Sequence, residues 1–122
     1  MALVANYEKL EVYQEAHQLV LSLYKTIDNF PKHEKYRIID QILRCGYSIP
    51  ANIVEGNSRN TTRDYINFLF IARGSLNELS YFLRLSHDLG YLPKENYERL
   101  KTHSDKIGRM LNGLINSMKN RI

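Results

Sequence analysis

Apolar residues recur at alternating steps of three and four along most of the chain, which is the spacing that places them on one face of an α-helix. The pattern appears in four segments, each followed by Pro, Gly or polar residues. We therefore predict helices over about residues 9–29, 33–57, 62–89 and 93–119. The short connections leave no room for crossovers, so consecutive helices should pack antiparallel. The pattern predicts an all-α, up-down-up-down four-helix bundle, with residues 1–122 as a single domain.

The apolar positions that define the four segments are the predicted core. Each set lies along one stripe of its helix when the chain is wound at about 100° per residue. The predicted core positions are Tyr13, Ala16, Val20, Leu23, Ile27 and Phe30 in the first helix, Ile38, Ile42, Cys45, Ile49 and Ile53 in the second, Tyr65, Phe68, Ala72, Ser75, Leu79, Phe82, Ser86 and Leu89 in the third, and Tyr97, Leu100, Ser104, Ile107, Leu111, Leu114 and Met118 in the fourth.

Pro50 conflicts with the helical pattern, because it stands inside the second predicted helix. A proline at such a position loses an amide donor, and its ring presses on the carbonyl four residues earlier. That earlier residue is Gly46, whose missing side chain gives the backbone room to adjust. We predict that the helix bends around residues 46–50 and continues.

The second and third predicted helices carry apolar side chains on a second side as well. A helix in a monomeric bundle needs only one apolar face, and a further contiguous patch commonly marks an interface. Scattered surface aromatics, in contrast, need no explanation. We predict homo-oligomerisation through this second face. Its residues are Tyr36, Leu43, Tyr47 and Val54 for the second helix, and Ile66, Phe70 and Tyr81 for the third.

The composition is that of a globular domain, with 43% apolar and 25% charged residues. No apolar run approaches the roughly 20 residues that span a bilayer. The first residues lack the basic start and long apolar stretch of a signal peptide, so we expect a cytoplasmic protein with no membrane partner. Cys45 is the only cysteine, which excludes an intramolecular disulfide and a cysteine-rich metal site.

The net charge of +4 is concentrated toward the end of the sequence. Residues 1–92 carry ten Lys/Arg and ten Asp/Glu, whereas residues 93–122 carry seven and three. Two interpretations fit this excess: a solvated helix face kept soluble by lysines, or an electrostatic footprint for a phosphate backbone. The second predicts sequence-independent binding of RNA or DNA. Its candidate residues are Lys94, Lys101, Lys106 and Arg109 on the outward half of the fourth helix, with Arg59 and Arg63 before the third.

The sequence contains no recognisable catalytic motif. The Glu-x-x-His pairs of di-metal bundle sites are missing before all four histidines, and there is no phosphate-binding loop or His-Glu-x-x-His motif. We therefore predict no metal, no cofactor and no enzyme. Polar residues near the predicted core are compatible with general acid–base chemistry, but we favour a half-buried polar layer that fixes helix register and whose glutamates are satisfied by backbone, hydroxyls or arginines. The layer consists of Asn52, Glu55, Ser75 and Glu78.

Residues 41–56 include Ser48-Ile49-Pro50-Ala51-Asn52-Ile53-Val54-Glu55-Gly56. This run closely resembles the Ser-Ile-Pro-x-Asn-Ile-x-Glu-Gly signature of the 23S rRNA intervening-sequence proteins, also called the four-helix-bundle protein family. Residues 72–79 are similar to the Ala-x-Gly-Ser-x-x-Glu-Leu segment of that family, and residues 10–16 are similar to its opening. The resemblance spans roughly residues 8–115 and departs at Cys45-Gly46, where small alanines are usual.

The resemblance implies a small bacterial protein, often encoded within insertions in 23S rRNA genes, with no established enzymatic activity. It also implies a ring-shaped homopentamer, and a related accessory protein of diversity-generating retroelements binds nucleic acid through a basic surface. These implications agree with the second apolar face and with the charge excess, whereas the shared motif residues are interpreted as structural. The leading hypothesis is a non-catalytic homo-oligomer that binds RNA or DNA. The alternative is a protein-interaction or scaffold subunit that does not bind nucleic acid.

Overall fold

The computed structural model describes residues 6–122 and contains four α-helices. Between residues 6 and 122 there is no strand. Each helix packs against the next one along the chain, and the first closes against the last. The predicted all-α four-helix bundle is therefore confirmed. The helices are α1 (Glu11–Thr26), α2 (Ile38–Asn57), α3 (Thr62–Asp88) and α4 (Lys94–Lys119), with short 3₁₀ turns at Asn6–Lys9, Ile27–Asn29 and Lys32–Glu34.

Pairs of contacting residues show that neighbouring helices run antiparallel. Between α2 and α3, Asn57 lies beside Tyr65 and Ser48 lies beside Ser75. Later residues of α3 therefore lie beside earlier residues of α2. The matching pairs between α3 and α4 are Phe70 with Lys119 and Arg73 with Asn112.

The beginning of α2 differs most from the predicted boundaries. The helix begins at Ile38 rather than near residue 33, because Pro31 is extended and residues 32–34 form a separate 3₁₀ turn. From there α2 continues without a break through Pro50 to Asn57, as predicted. The other helix ends lie within a few residues of their predicted positions.

The core positions of α2 are confirmed, but those of α3 are wrong at about half of the positions. Leu76 and Leu83 are buried, one residue after the predicted Ser75 and Phe82. Ile66, which we assigned to the outer face, is only 5% exposed and belongs to the core. Because α3 is apolar on two sides, spacing alone does not select between adjacent rows of its surface. Branched aliphatic side chains fill the interior, and the aromatic ones lie along its edges.

Two glycines allow α2 to approach its neighbours closely. A Cβ added to Gly46 would lie 2.5 Å from Leu23 Cδ1 of α1. A Cβ added to Gly56 would lie 2.8 Å from the Cβ of Phe68 and 3.3 Å from the carbonyl oxygen of Tyr65. The space left by the missing side chain of Gly46 is therefore filled by Leu23 of α1. This contact is separate from the room that Gly46 gives the backbone beside Pro50.

We expect Gly56→Ala to lower the free energy of unfolding by about 1–3 kcal/mol, because overpacking forces α2 and α3 apart. The atoms that block the new methyl group are a Cβ and a backbone carbonyl, which do not rotate away. Thermal unfolding followed by circular dichroism measures the change.

The matched control for Gly56→Ala is Gly113→Ala in α4, where an added Cβ has no heavy atom within 4 Å. Helix propensity predicts a gain of up to about 1 kcal/mol for that variant. If both variants were stabilised alike, the packing argument at Gly56 would be wrong.

Candidate nucleic-acid interface

Four of the six predicted phosphate-binding residues have a carboxylate close to them. Exposed ion pairs of this kind contribute about 0–1 kcal/mol to stability, so a phosphate could displace the carboxylate. Each pair nevertheless offsets one positive charge with one negative charge. The pairs are Lys94 with Glu98 (3.9 Å), Lys101 with Asp105 (3.0 Å), Lys106 with Glu15 (3.3 Å) and Arg59 with Glu55 (3.5 Å).

The charge of α4 is divided unevenly between its two halves. Residues 94–105 carry three Lys/Arg and three Asp/Glu, whereas residues 106–122 carry four Lys/Arg and no acid. Lys106 is exposed, and its ammonium group pairs with Glu15 of α1. We predicted a basic surface at Lys94, Lys101, Lys106 and Arg109, whereas the excess of basic over acidic residues in α4 lies in its second half.

The second half of α4 lies beside the first half of α3, where further arginines extend the basic surface. Within residues 59–77 the only acidic residue is Asp64, in the first turn of α3. We define the C-terminal basic patch as the basic residues Arg63, Arg73, Arg109, Lys119 and Arg121. Within the part of the chain that the structure describes, no carboxylate lies within 4.0 Å of their charged groups.

Two cations of the C-terminal basic patch meet on one aromatic ring. The guanidinium carbon of Arg73 lies 4.7 Å from the centroid of Phe70, and Lys119 Nζ lies 5.2 Å from it. Arg73 Nη1 also donates a hydrogen bond to Asn112 Oδ1 at 2.9 Å. Two like charges brought together in this way form a suitable place for an anion, since the planar guanidinium favours bidentate contact with phosphate.

Sequence reasoning found only Arg63 and Arg109 of this patch. The acid-free run 106–122 was visible in the sequence and points to Lys119 and Arg121. Arg73 was not predictable in this way, because only the packing of α3 on α4 brings it next to Lys119. The guanidinium carbon of Arg59 lies 4.7 Å from the centroid of the Phe68 ring, but Arg59 is paired with Glu55.

The predicted polar layer between α2 and α3 exists in a smaller and uncharged form. Ser48 Oγ and Ser75 Oγ are 2.9 Å apart and connect the two helices. Asn52 Nδ2 donates to the carbonyl oxygen of Ser48 at 2.8 Å and to its hydroxyl at 2.9 Å. Asn52 and Ser75 therefore lie where we predicted, and Ser48 is the member that sequence reasoning missed.

The two glutamates assigned to this layer are exposed, which corrects the prediction. Glu55 accepts a hydrogen bond from Ser58 and pairs with Arg59 on the outer side of α2. Glu78 lies at the edge of the α2–α3 groove, close to Cys45. Their positions on α2 and α3 face outward, so neither carboxylate is desolvated.

Cys45 is buried, and its thiol is held in the protonated form. Burial, followed by the negative charge and hydrogen bond of Glu78, raises the pKa of the thiol to about 11. A nucleophilic cysteine needs a lowered pKa. Cys45 is therefore an apolar filler of the core, in agreement with its position on the core stripe.

The predicted second apolar face is divided between different sides of the bundle. Tyr36 and Leu43 line a groove formed by the connection that follows α1 and the beginning of α2, whereas Phe70 lies toward α4, against Lys119. Tyr47 and Tyr81 are 47% and 60% exposed. The remaining two residues are half-buried Val54 and buried Ile66.

Between residues 6 and 122, no group of three or more His, Cys, Asp or Glu side chains is arranged to hold a metal ion. Within the same range, no helix combines the length and the apolar character needed to cross a membrane.

A cluster of three polar side chains connects α1 to α4. His103 Nε2 donates to Glu15 Oε1 at 2.8 Å, and Lys106 Nζ lies 3.3 Å from Glu15 Oε2. The hydrogen bond from His103, followed by that from Lys106, lowers the pKa of the Glu15 carboxyl below its ordinary value of 4.5. A carboxyl whose pKa is lower in the folded than in the unfolded protein stabilises the fold at any pH above its pKa in the unfolded protein. This stabilisation is lost as the pH falls through the pKa of the folded protein.

We expect Glu15→Gln to unfold at a lower temperature than the wild type at pH 7. The difference should shrink as the pH falls below 4.5, because the wild-type carboxyl then becomes protonated as well. Calorimetry across this pH range measures it. The control is Glu98→Gln, whose partner Lys94 lies on the same helix; an equal pH dependence in both variants would contradict the role of Glu15.

We expect Cys45 to react with a disulfide reagent at pH 8 roughly a hundredfold more slowly in the folded protein than in denaturant, because a thiol with a raised pKa is rarely ionised. Absorbance of the released thiolate measures the rate. Rapid labelling of the folded protein would show that the thiol is neither buried nor protonated.

Comparison with known proteins places the chain among relatives of the same fold. A family model described as 23S rRNA-intervening sequence protein matches residues 8–113. Among solved structures, the chain is similar to a protein of unknown function from the S23 ribosomal protein family of Bacteroides thetaiotaomicron, with 32% identity, a TM-score of 0.77, and 85% of this chain and 97% of that chain covered. No curated protein matches the chain. Because the family model covers most of the sequence, the chain belongs to the 23S rRNA-intervening sequence protein family.

Proposed function

We propose that this protein is a non-catalytic homo-oligomer that binds the phosphate backbone of RNA or DNA through the C-terminal basic patch. The observation that carries the proposal is the convergence of Arg73 and Lys119 on Phe70, beside a stretch of α4 that contains no acid. Phosphate oxygens would supply the negative charge that this surface lacks.

The patch has dimensions that suit several phosphate groups. Arg109 and Lys119 are ten residues apart on α4, which corresponds to about 15 Å along the helix. Along each strand of duplex DNA, successive phosphates are about 3.4 Å apart in the direction of the helix axis, so that length covers about four base pairs. Lysine and arginine on the sides of helices contact phosphates without reading base edges, so we propose binding without sequence specificity.

Homo-oligomerisation is the second part of the proposal. Tyr36 and Tyr81 are 83% and 60% exposed, and large exposed aromatics on separate sides suit contacts with further copies of the chain. A homopentamer, the assembly that the resemblance implies, would present five patches at once. Linked weak sites bind a polyanion far more tightly than one site does. We place this assembly in the cytoplasm.

The test is the salt dependence of binding to random-sequence RNA and duplex DNA, measured by fluorescence anisotropy at several salt concentrations. Removal of one phosphate-binding side chain should make the slope of log affinity against log salt shallower by roughly 1. We expect Arg109→Gln and Lys119→Gln each to reduce the slope in this way and to weaken binding to all sequences alike, because the contacts are electrostatic.

The matched controls are Lys94→Gln and Lys101→Gln, which remove the same charge from the half of α4 whose lysines are paired with Glu98 and Asp105. Their slopes should change less. If the four variants behaved alike, binding would involve the whole helix and not the patch. If the wild type bound neither RNA nor DNA at low salt but retained an acidic protein, the scaffold alternative would replace this proposal.

A further inference from the structure

A polar cleft of about 270 Å³ lies where the end of α1 meets the beginning of α4. It belongs to the same seam that Glu15 crosses further along, where it contacts His103 and Lys106. Each residue that lines the cleft has a side chain that can donate a hydrogen bond. The lining residues are Ser22, Lys25, Thr26, Asn29, Asn96 and Arg99.

The lining of the cleft carries two positive charges and no acid. Within residues 6–122, no carboxylate lies within 4.0 Å of Lys25 Nζ or of the Arg99 guanidinium. This includes Glu95, which lies one turn before Arg99 on α4, while Asp28 lines the groove beside α2. The end of α1 and the beginning of α4 have opposite partial charges that offset each other, so the side chains determine the charge of the cleft.

Most of the neutral donors of the cleft are also unused. Thr26 Oγ1 donates to the carbonyl oxygen of Ser22 at 2.8 Å, so its hydroxyl already has a partner in α1. In the described part of the chain, no hydrogen bond involves the side chain of Ser22, Asn29 or Asn96. Ser22 and Asn96 are half-buried. A ligand that accepts hydrogen bonds would therefore meet free donors that two helices hold in place.

We propose that this cleft binds the dianionic head of a phosphate monoester, with Lys25 and Arg99 balancing its charge and Asn96 donating to one of its oxygens. A phosphate monoester carries a charge of about −1.5 to −2 at pH 7 and three acceptor oxygens. A carboxylate, or a phosphodiester inside a nucleic-acid strand, carries a single charge and would leave one of the two cations unbalanced. The planar guanidinium of Arg99 suits bidentate contact with phosphate.

The cleft is separate from the C-terminal basic patch. None of the patch residues lines it, and Arg99 precedes Lys119 by 20 residues on α4, which corresponds to about 30 Å along the helix. The inference therefore goes beyond the proposed function and does not depend on it. The ligand class has two sources: a free phosphorylated metabolite, and the terminal phosphate of an RNA or DNA strand.

The first test is a titration of the full chain with inorganic phosphate at constant ionic strength, followed by the backbone amide signals in NMR spectra. We expect the signals of residues 22–29 and 94–99 to shift and to saturate. Lys25→Gln and Arg99→Gln should each weaken phosphate binding roughly tenfold, because each removes a hydrogen bond between charged groups. Both side chains are exposed, so both variants should keep the helical circular dichroism spectrum of the wild type.

The matched control is Lys94→Gln, which removes the same charge from the first turn of α4 outside the cleft. Its affinity for phosphate should equal that of the wild type. If all three variants weakened phosphate binding equally, net charge and not the cleft would hold the anion, and the inference would be wrong. It would also be overturned if phosphate in the millimolar range shifted no signal at the end of α1 or the beginning of α4.

Asn96→Ala separates the geometry of the cleft from its charge. The variant loses an amide donor but keeps the net charge, so its phosphate binding should be roughly two- to tenfold weaker. Asn77→Ala changes an exposed asparagine of α3 that does not line the cleft, and it should bind phosphate as the wild type does. Equal phosphate affinity of both alanine variants would contradict the contact assigned to Asn96.

Oligonucleotides distinguish the two sources of the phosphate monoester. The comparison is between a single strand with a 5′-phosphate and the same strand with a 5′-hydroxyl, and between a nucleoside 5′-monophosphate and its nucleoside. If strand ends occupy the cleft, the 5′-phosphate should strengthen binding of the strand and Arg99→Gln should remove that gain, whereas Lys119→Gln should weaken both strands alike. If a free metabolite occupies it, the mononucleotide should bind through its phosphate and the 5′-phosphate of the strand should add nothing.

The cleft and the C-terminal basic patch can fail separately. A wild type that binds inorganic phosphate through Lys25 and Arg99 but binds neither RNA nor DNA would remove the proposed function and support this inference. A wild type that binds duplex DNA through Arg109 and Lys119 but shows no phosphate response in the cleft would overturn only the inference.

Discussion

The close approach of α2 to α1 and α3 is the contact on which the rest of the bundle depends. It is made possible by two positions that lack a Cβ: Gly46, which leaves room for Leu23, and Gly56, which lies against Tyr65 and Phe68. The short approach also allows Ser48 to reach Ser75 directly. A direct bond between two small hydroxyl side chains fixes how α3 is placed along α2, because neither side chain has the length to adjust.

The placement of α3 determines which of its side chains are exposed on the surface of the molecule. Once the aliphatic row of α3 is turned inward, Phe70 and Arg73 lie along the seam with α4, and Tyr81 faces outward. The basic patch and the outward position of Tyr81 are therefore two consequences of one orientation. The first half of α4 has no excess charge, because its acids balance its basic residues, two of them in local ion pairs. The second half has no acid, so its positive charge is not balanced within the helix.

The sequence was sufficient for the fold but only partly for the surfaces. Four of the five isoleucines of α2 lie on the predicted stripe, so period alone identified most of its buried apolar positions and missed Ile39. On α3, aromatic and aliphatic residues occupy adjacent rows, and the choice between them depends on which shapes fit beside α2. Glu55 and Glu78 were misplaced because their helical positions lie just beyond the boundary between interior and solvent. The partners of Lys94 and Lys101 were four residues away on the same helix and could have been read from the spacing, whereas the meeting of Arg73 with Lys119 requires the tertiary structure.

The connection between α1 and α4 has a different character from the other helix contacts. Within residues 6–122, the side-chain hydrogen bonds and ion pairs across it are those of Glu15 with His103 and Lys106, and α1 is the shortest of the four helices at 16 residues. Segments held by few buried apolar contacts open more often than the rest of a domain. The seam between α1 and α4 is therefore the place where the bundle should open first. Once detached, α1 loses the packing that supports its own helical hydrogen bonds while α2 and α3 stay together, so backbone amides of α1 should exchange with solvent deuterium ahead of those beside Ser48.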